Sequence, residues 1–469
     1  MATEPECSTG TAIVGEYTSP PLETLEESIR RKLGIAISHL PSKLKVPQQL
    51  RGHNGKAYEP LVVSIGPFHR GSGDQFEAME KLKQLYLDKL LKRMKISLEK
   101  FITRIGDEFR DDNETETGII AFEKRARDFY AEPLDDFKQS DEFTKMMIRD
   151  ACFVIQLVRP GKEIKDDDDP IMNMDFMFQY VCHDLLLLEN QLPWFVLNCL
   201  SRLTLDSDPR DQFSVVLLKA FRRVELFRQM CDPYIEYLAN NRNADDNVSH
   251  ILELIRNSIV FSFKPFEPSG ESLWCFAGKE EEDEENGLYF HPATALSEAG
   301  VIFGKGSAKN LMDIKFEKGA LTIPQLTVEE LTEPLFRNLI AFEKCCDLSQ
   351  EITSYAFFMG KLISSESDME LLSRKKIIRN RLSVEDGFKF FNQISIDIAL
   401  DKTFAYEQLC AELDKYSQVR WNKDVAQLKR DYFSSPWTTI SLIVGIILLV
   451  ITIFQFIDTI FYPRQFLRV

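Results

Sequence analysis

Two groups of polar residues are of types that could act as a nucleophile or a base in catalysis. Cys182, His183 and Asp184 are consecutive, and a Cys/His nucleophile–base pair would need the two side chains in contact. Neighbours on a helix point about 100° apart, so this order favours an ordinary helical histidine over a catalytic dyad. His69, in the turn formed by residues 66–69, could be an exposed base, but the sequence shows no partner for it.

A third polar group interrupts an apolar stretch. The sequence DLLLLENQLPWFVLNCL at 184–200 places Glu189, Asn190 and Gln191 between two apolar runs, just before Pro193. Proline is tolerated in the first turn of a helix, and asparagine is a favoured cap shortly before it. We therefore predict two buried helices that meet at a corner, where the three polar side chains bond exposed backbone groups. The alternative that remains open is a binding or catalytic role for Glu189.

Metal and cofactor motifs are absent from the sequence. The run KDDDD at 165–169 precedes Pro170, which would break the helix on which metal-binding aspartates must be spaced. We interpret it as a solvated loop, as we do KEEEDEEN at 279–286. The 6 histidines lack metal-ligand spacing, and GxxxxGK[ST], GxGxxG, HExxH and GxSxG do not occur. We expect no cofactor, no metal and no catalytic residue.

The composition excludes some classes of protein. A formal net charge of −16 over 469 residues argues against a nucleic-acid partner, because phosphate binding needs Lys and Arg. The 9 cysteines are scattered, without a CxxC pair, and Cys345 and Cys346 are adjacent. This usage predicts buried thiols in a reducing compartment rather than a disulfide framework. The first residues show no secretory signal.

Hydrophobic periodicity predicts a mainly helical chain. Apolar residues recur every three or four positions over 22–40, 76–105, 118–131, 140–158, 173–191, 194–204, 211–242, 247–260 and again from about 331. Segment 46–71, rich in proline and glycine, is predicted to be extended with turns. Between 287 and 328, alternation between glycine turns predicts a small antiparallel meander. The expected fold class is therefore mainly α with a small antiparallel β element (α+β).

The C-terminal region predicts a membrane span. Residues 437–457, WTTISLIVGIILLVITIFQFI, contain no ionisable side chain. As a helix of about 31 Å they would match a hydrocarbon core of roughly 30 Å. We predict a single transmembrane helix at 436–458 with the lipid bilayer as its partner, followed by a short tail at 459–469. Basic residues are more frequent before the span, which favours a single-pass membrane protein with its bulk in the cytosol.

Five segments together resemble a known family. They are AYEPLVVSIGPFHRG (57–71), DLLLLENQLPWFVL (184–197), ATALSEAGVIF (293–303), LTIPQLTVEELTEPLFRNLIAFEKC (321–345) and DYFSSPWTTISLIVGIILLVITIFQ (431–455). In this order they resemble the plant-specific family DUF247, also labelled UPF0481. The resemblance implies a flowering-plant protein with one C-terminal anchor helix and no assigned biochemical activity. Some members are associated with self-incompatibility loci of grasses, but nothing in these residues singles this chain out for that role.

Two further predictions concern the domains and the function of the chain. We predict a disordered segment at 1–25, which carries no family signal, and a mainly helical domain at 26–435 that resembles the family. The absence of a catalytic constellation favours a non-enzymatic protein-interaction or recognition module with an unknown protein partner. The alternative is a membrane-associated enzyme of unrecognised type, acting on a lipid or a specialised metabolite through Glu189, His183 or His69. A deep pocket lined by those three side chains would favour the enzyme.

Overall fold

Helices form most of the chain that the computed structural model describes. The described residues are 44–52, 54–71, 73–110, 118–130, 134, 137, 140–159, 171, 174–205, 212–228, 231–241, 247–264, 290–307, 310–397, 404–419 and 436–461. The predicted disordered segment at 1–25, the predicted helix at 22–40 and the two predicted acidic loops lie outside these residues. Within them, the mainly helical α+β class is confirmed.

Residues up to 260 contain ten of the described helices. They are α1 Gln48–Arg51, α2 Glu77–Met94, α3 Leu98–Asp107, α4 Ile119–Tyr130, α5 Ser140–Val158, α6 Asp175–Asp184, α7 Trp194–Thr204, α8 Phe213–Phe221, α9 Asp232–Asn240 and α10 Ile251–Val260. Short 3-10 turns span Gly55–Tyr58, Asp74–Phe76 and Glu225–Phe227. The predicted bounds 140–158 and 194–204 are confirmed. Segment 46–71, predicted to be extended with turns, contains α1 and the 3-10 turn Gly55–Tyr58. The rest of the segment, after Tyr58, is irregular.

The helix predicted over 76–105 is two helices. Lys95 adopts a left-handed conformation with φ 54°, and its N–H bonds the carbonyl of Leu91 at the end of α2. Ser97 then caps α3 by accepting the N–H of Lys100 at 3.3 Å. The apolar spacing continues across this break, so periodicity alone predicts one continuous helix. The serine cap is the signal that could have located the break.

The helix predicted over 211–242 is also divided. After α8 the chain tightens into the turn Glu225–Phe227, which buries Leu226 and Phe227. A new helix, α9, then starts at Asp232 with a proline in its first turn. A proline fits the start of a helix but not its interior, because it lacks the N–H that continues the ladder.

The strands form a mixed sheet and a separate pair. They are β1 Ile302–Gly306, β2 Lys315–Glu317, β3 Ala320–Pro324, β4 Leu326–Val328 and β5 Ile378–Asn380. β3 is the centre of the order β1-β3-β2, antiparallel to β2 but parallel to β1. β4 pairs in parallel with β5. The predicted antiparallel meander is therefore wrong for two of the three pairings, because alternation marks a strand without stating the direction of its partner.

Helices resume around the strands. They are α11 Ala293–Glu298, α12 Thr332–Cys345, α13 Glu351–Leu362, α14 Glu366–Arg374, α15 Val384–Asp397 and α16 Glu407–Gln418. Apolar side chains from both halves of the chain join in one core cluster. None of the described cysteines forms a disulfide, and five of them are buried. Burial raises the pKa of Cys231 to about 12, so this thiol stays protonated at neutral pH.

The C-terminal apolar segment forms a helix, α17 Pro436–Phe461. Across the described residues, however, no helix combines the length and the apolar character that a bilayer crossing demands. The predicted transmembrane helix at 436–458 and the single-pass membrane location inferred from it are contradicted by this finding.

Helices α13 and α15 cross where Gly360 has no side chain. A Cβ at position 360 would lie 2.6 Å from the carbonyl oxygen of Phe391 and closer still to the Cβ of Ser395. We expect Gly360→Ala to lower the free energy of unfolding by about 1–3 kcal/mol, since the helices must separate to admit the methyl group. Urea unfolding followed by circular dichroism measures this. Gly304→Ala is the control, because its Cβ would meet only Thr322 at an ordinary 3.7 Å.

A candidate functional site at the helix corner

Asp184 ends α6 and holds the segment that contains Leu61. Its Oδ1 accepts the backbone N–H of Leu61 at 2.8 Å, and its Oδ2 accepts those of Val62 and Val63 at 2.7 and 2.8 Å. Asp184 is fully buried, so these three bonds replace its hydration. A buried carboxylate thus fixes an irregular stretch of backbone that forms no sheet.

Asn190 makes a second set of bonds to the same segment. Its Oδ1 accepts the N–H of Ile65 at 2.6 Å, and its Nδ2 donates to the carbonyl oxygens of Val63 at 3.0 Å and Asp184 at 2.8 Å. The amide therefore joins the end of α6 to residues more than a hundred positions earlier in the chain. An asparagine fits because it supplies an acceptor and two donors together.

Gln191 closes the turn between the two helices. Its Nε2 donates to the carbonyl oxygens of Leu185 and Leu187, both at 2.7 Å, and its Oε1 accepts the N–H of Leu252 at 3.1 Å. Helix α6 ends at Asp184 and α7 starts at Trp194, so the predicted corner is confirmed. The polar side chains do bond the backbone groups exposed there, as predicted. The predicted extension of α6 to residue 191 is wrong, because these residues form the turn.

Glu189 points to the edge of the corner. Its Oε1 accepts the N–H of Val46 at 2.8 Å, while its Oε2 bonds the Nη2 of Arg51 and lies 3.6 Å from the Nε2 of His69. Burial lowers the pKa of His69 below its ordinary value, and the charge of Glu189 offsets this only in part. The structure thus supplies the partner for His69 that the sequence did not show. Glu189 acts on the N-terminal segment, where it holds residues 46 and 51.

Glu189→Gln tests this structural role. The amide keeps the size of the side chain but leaves Arg51 without its anionic partner, so we expect the free energy of unfolding to fall by about 1–3 kcal/mol. Differential scanning fluorimetry of the purified chain gives the comparison. Glu77→Gln is a suitable control, since Glu77 is exposed and its ion pair among the described residues is with the exposed Lys81 at 3.6 Å. Equal melting temperatures for both variants would contradict the assignment.

A buried ion pair supports the segment from its other side. Lys83 on α2 donates to Asp150 on α5 at 2.9 Å and to the carbonyl oxygen of Ser64. Asp150 in turn accepts the N–H of Gly66 at 3.0 Å. Gly66 has φ +71°, and a Cβ there would lie 3.0 Å from the carbonyl oxygen of Gln191. Only glycine fits this approach without strain.

Glu80 joins the same charged group. Its two oxygens contact Lys83 at 2.5 Å and Arg149 at 2.6 Å. Burial acts to raise the pKa of Glu80, but the two cations together outweigh it and leave the pKa below its usual value. The group carries two cations and two carboxylates, so its charges are balanced within the fold.

His183 and Cys182 do not form a catalytic pair. The Nδ1 of His183 lies 2.9 Å from the Oδ1 of Asp184, which orients the ring. Burial raises the pKa of the Cys182 thiol far above its ordinary value, so it is not a nucleophile at neutral pH. Both residues line a narrow cleft whose enclosed volume is about 10 Å³, room for about one water molecule. Glu189 and His69 are not among the residues that line it.

His250 is a buried cap beside the corner. It precedes α10, and its Nδ1 accepts the N–H of Glu253 at 3.2 Å. Its ring packs edge-on against Phe342, with the ring centroids 4.7 Å apart. Burial lowers the pKa of His250 to about 3, so it is neutral in the folded chain over the physiological range. Protonation would remove the lone pair that caps the helix.

This histidine predicts a loss of stability in acid. In the unfolded chain it binds a proton near pH 6.5, and in the folded chain only near pH 3, so stability falls as the pH drops below 6.5. Between pH 7 and pH 5 we expect a loss of about 2 kcal/mol from this residue. Urea midpoints at both pH values measure it. His250→Asn keeps a capping acceptor but has no group that titrates in this range. We expect its free energy of unfolding to be lower at pH 7 and to fall less between pH 7 and pH 5. An equally steep fall in that variant would contradict the prediction.

Sequence reasoning missed two further polar clusters. Arg256 on α10 pairs with Glu343 on α12 at 2.9 Å, and Glu343 is fully buried. His291 contacts Asp414 at 2.8 Å and Ser417 at 3.4 Å. Both of the latter contacts fall on the same ring nitrogen, Nε2, so His291 cannot relay a proton from Ser417 to Asp414. The partners lie 87 to 126 residues apart along the chain, and no local spacing signals them.

Comparison with known proteins gives consistent family matches. The family model DUF247, described as a plant protein of unknown function, matches residues 44–451. A UPF0481 protein of Arabidopsis thaliana is 28% identical over 434 residues, covering 88% of this chain and 84% of the relative. A putative UPF0481 protein of the same species is 25% identical over 177 residues, or 37% of this chain and 33% of the relative. No solved structure is a significant match.

Proposed function

We propose that this chain, which belongs to the plant protein family DUF247, is a protein-interaction module without enzymatic activity. The observation that carries the proposal is an aromatic cluster on α9 and at the end of α10, the aromatic patch, in which the exposed Tyr237 and Phe261 pack over the buried Tyr234. Aromatic side chains are enriched at protein interfaces, where they supply most of the binding energy.

The aromatic patch is packed rather than scattered. The rings of Tyr237 and Phe261 have centroids 4.7 Å apart, and each also contacts Tyr234, at 5.9 and 5.1 Å. Tyr234 is buried beneath them, whereas Tyr237 is 39% and Phe261 40% exposed. Two rings held in place by a third lose little side-chain entropy when a partner covers them. This makes the patch suited to binding another protein.

The helix corner supports the non-enzymatic part of the proposal. The carboxylates and amides of Asp184, Asn190 and Gln191 are bonded to backbone groups, as described above. An enzyme would need such groups to converge on a space that a substrate can enter. Glu189 and His69 instead meet each other at 3.6 Å, and His183 lines a different space from theirs.

A capture experiment with matched variants tests the proposal. The full-length chain is used as bait in plant extracts beside the double variant Tyr237→Ser/Phe261→Ser, and bound proteins are quantified by mass spectrometry. Ile120→Ser is the control, because Ile120 is an apolar residue that is 63% exposed on a different helix, α4. We expect a partner that binds the unmodified chain and the control reproducibly, and that is reduced at least tenfold with the double variant.

Two outcomes would overturn the proposal. Partners that bind all three baits equally would show that the patch is not the interface. Recovery of none, together with turnover of a small molecule by the purified chain, would favour the enzyme instead. Circular dichroism of the double variant verifies that its folding is intact.

A further inference from the structure

Five exposed cations lie close together in sequence at the end of α14 and along β5. They are Arg374, Lys375, Lys376, Arg379 and Arg381, which we call the basic row. The surrounding sequence, SRKKIIRNRLS at 373–383, contains no Asp or Glu. Since the whole chain has a formal net charge of −16, the basic row reverses the sign of the charge locally. Such a reversal attracts groups that the rest of the surface repels.

The end of a helix accounts for part of the basic row. Cations near a helix C-terminus are stabilised by the partial negative charge of its last carbonyl groups, and Arg374, Lys375 and Lys376 lie there. Lys376 has φ 59°, and its N–H bonds the carbonyl oxygen of Ser373 at 2.9 Å, which closes the turn after the helix. The helix end does not account for the two arginines that follow, because they lie on and just after a strand.

These two arginines lie on the same side of the chain. Side chains two residues apart on a strand point to one face and are about 6–7 Å apart. The N–H of Arg381 donates to the carbonyl oxygen of Val328 at 2.9 Å, so the pairing of β5 with β4 continues as far as this residue. Between them and the helix end, Ile378 is buried. The backbone pairing therefore fixes the spacing of Arg379 and Arg381.

Only part of the positive charge is balanced by described carboxylates. Arg381 pairs with Glu329 at 3.0 Å, and Arg379 lies 3.5 Å from Glu225. Glu225 is shared with the exposed Arg228, at 3.4 Å. Within the described part of the chain, the three cations at the end of α14 make no ion pair with a carboxylate. The basic row thus keeps an excess of positive charge that faces solvent.

An extended acidic peptide matches this arrangement. Its alternate side chains also lie about 6–7 Å apart on one side, so alternate carboxylates could pair with Arg379 and Arg381. A single-stranded nucleic acid matches less well, because residues 373–383 include no aromatic side chain on which a base could stack. An anionic bilayer also matches less well, since a broad surface would meet the acidic remainder of the chain.

We propose that the basic row is a docking surface for an acidic segment of a partner protein. The segment binds in an extended conformation, with alternate carboxylates on Arg379 and Arg381 and further carboxylates on the cations at the end of α14. The basic row shares no residue with the aromatic patch. The inference therefore goes beyond the proposed function and holds whether or not a partner binds that patch.

Fluorescence anisotropy with labelled peptides tests the surface on the full-length chain. The probe is an octapeptide in which Glu and Ser alternate, and the matched peptide has Gln in place of Glu. At low salt we expect the Glu peptide to bind about tenfold more tightly than the Gln peptide, because only carboxylates form charge-assisted bonds with arginine. Raising NaCl from about 0.05 M to about 0.5 M should weaken the Glu peptide about fivefold or more, because salt screens exposed charges.

Charge-removing variants locate the binding. Arg379→Gln/Arg381→Gln should weaken the Glu peptide about fivefold or more. The control is Lys92→Gln/Lys95→Gln, which removes two exposed cations at the end of another helix, α2, and changes the net charge equally. We expect the control to weaken binding less than about twofold, because its cations lie outside the basic row. Arg374→Gln/Lys375→Gln breaks no described ion pair, so it provides a second variant if the first fails to fold.

Three outcomes would overturn the proposal. Equal binding of the Glu and Gln peptides would show that carboxylates are not recognised. Equal weakening by the basic-row variants and the control would show that binding follows net charge and not this surface. Tighter binding of an oligouridine than of the Glu peptide, lost in Arg379→Gln/Arg381→Gln, would assign the surface to nucleic acid. The variant Tyr237→Ser/Phe261→Ser should bind the Glu peptide normally, so failure at the aromatic patch is distinguishable from failure here.

Discussion

Replacing Arg256 by methionine is expected to lower the free energy of unfolding by about 3–5 kcal/mol. Arg256 bonds Glu343 and also reaches the carbonyl oxygen of Ser349 and the side chain of Glu351, both at 2.5 Å. Glu343 accepts the N–H groups of Ile352 and Thr353 as well, so it joins α10, α12 and α13. Without the guanidinium, a fully buried carboxylate loses its only cation among the described contacts.

Urea unfolding at pH 8 and pH 5 measures this loss. Burial raises the pKa of Glu343 despite the nearby Arg256, and removing that cation raises the pKa further. A carboxyl with a raised folded-state pKa gains stability as the pH falls, so the deficit of the variant should shrink at pH 5. The control is Arg222→Met, whose pair with Asp232 is more than 40% exposed and should cost less than about 1 kcal/mol. A loss no larger than that of the control would contradict the assignment.

Asp184→Asn is expected to cost about 2–6 kcal/mol. Each oxygen of Asp184 receives two donors: Leu61 and His183 at Oδ1, and Val62 and Val63 at Oδ2. The amide of asparagine replaces one oxygen by an NH₂ group, so two buried donors face a donor in either orientation. Residues 61–63 should then separate from the corner.

Hydrogen exchange gives a local measurement of the same event. The amides of residues 61–63 should lose protection in Asp184→Asn, while those in the middle of α5 lose less. Asp88→Asn is the matched control, because Asp88 is exposed and, within the described part of the chain, accepts from the exposed side chain of Gln84 at 2.9 Å. Unchanged protection at residues 61–63 would show that Asp184 is dispensable for holding the segment.

Local sequence patterns predicted the corner but not the backbone segment to which its side chains are hydrogen-bonded. A proline after an asparagine and glutamine, between two apolar runs, predicted two helices that meet at a corner and the start of α7, although α6 ends at Asp184 and not at residue 191. The residues that receive the bonds, 61 to 65, lie 121 to 127 positions earlier. Periodicity and capping describe neighbours in sequence, so they contain no information about such pairing. The family resemblance, which used whole segments in order, is confirmed.

The errors have similar physical causes. Apolar spacing continued through Lys95, where a left-handed residue ends α2, and a non-glycine residue gives little warning of that conformation. The pairing of β4 with β5 joins Leu326 to Ile378, which no alternation pattern could specify. At the C-terminus, composition predicted the helix correctly but also a bilayer crossing, which the described residues do not support.

The dependence of residues 61–65 on Asp184 and Asn190 has a consequence for biosynthesis. The ribosome releases this segment some 120 residues before its acceptors, a delay of about 6–24 s at ordinary elongation rates. Throughout that interval Val63 and Ile65, which the folded chain buries, belong to an apolar tract that lacks its bonds to the corner. A nascent chain of this kind is a natural client for chaperones that shield such tracts until translation reaches the corner.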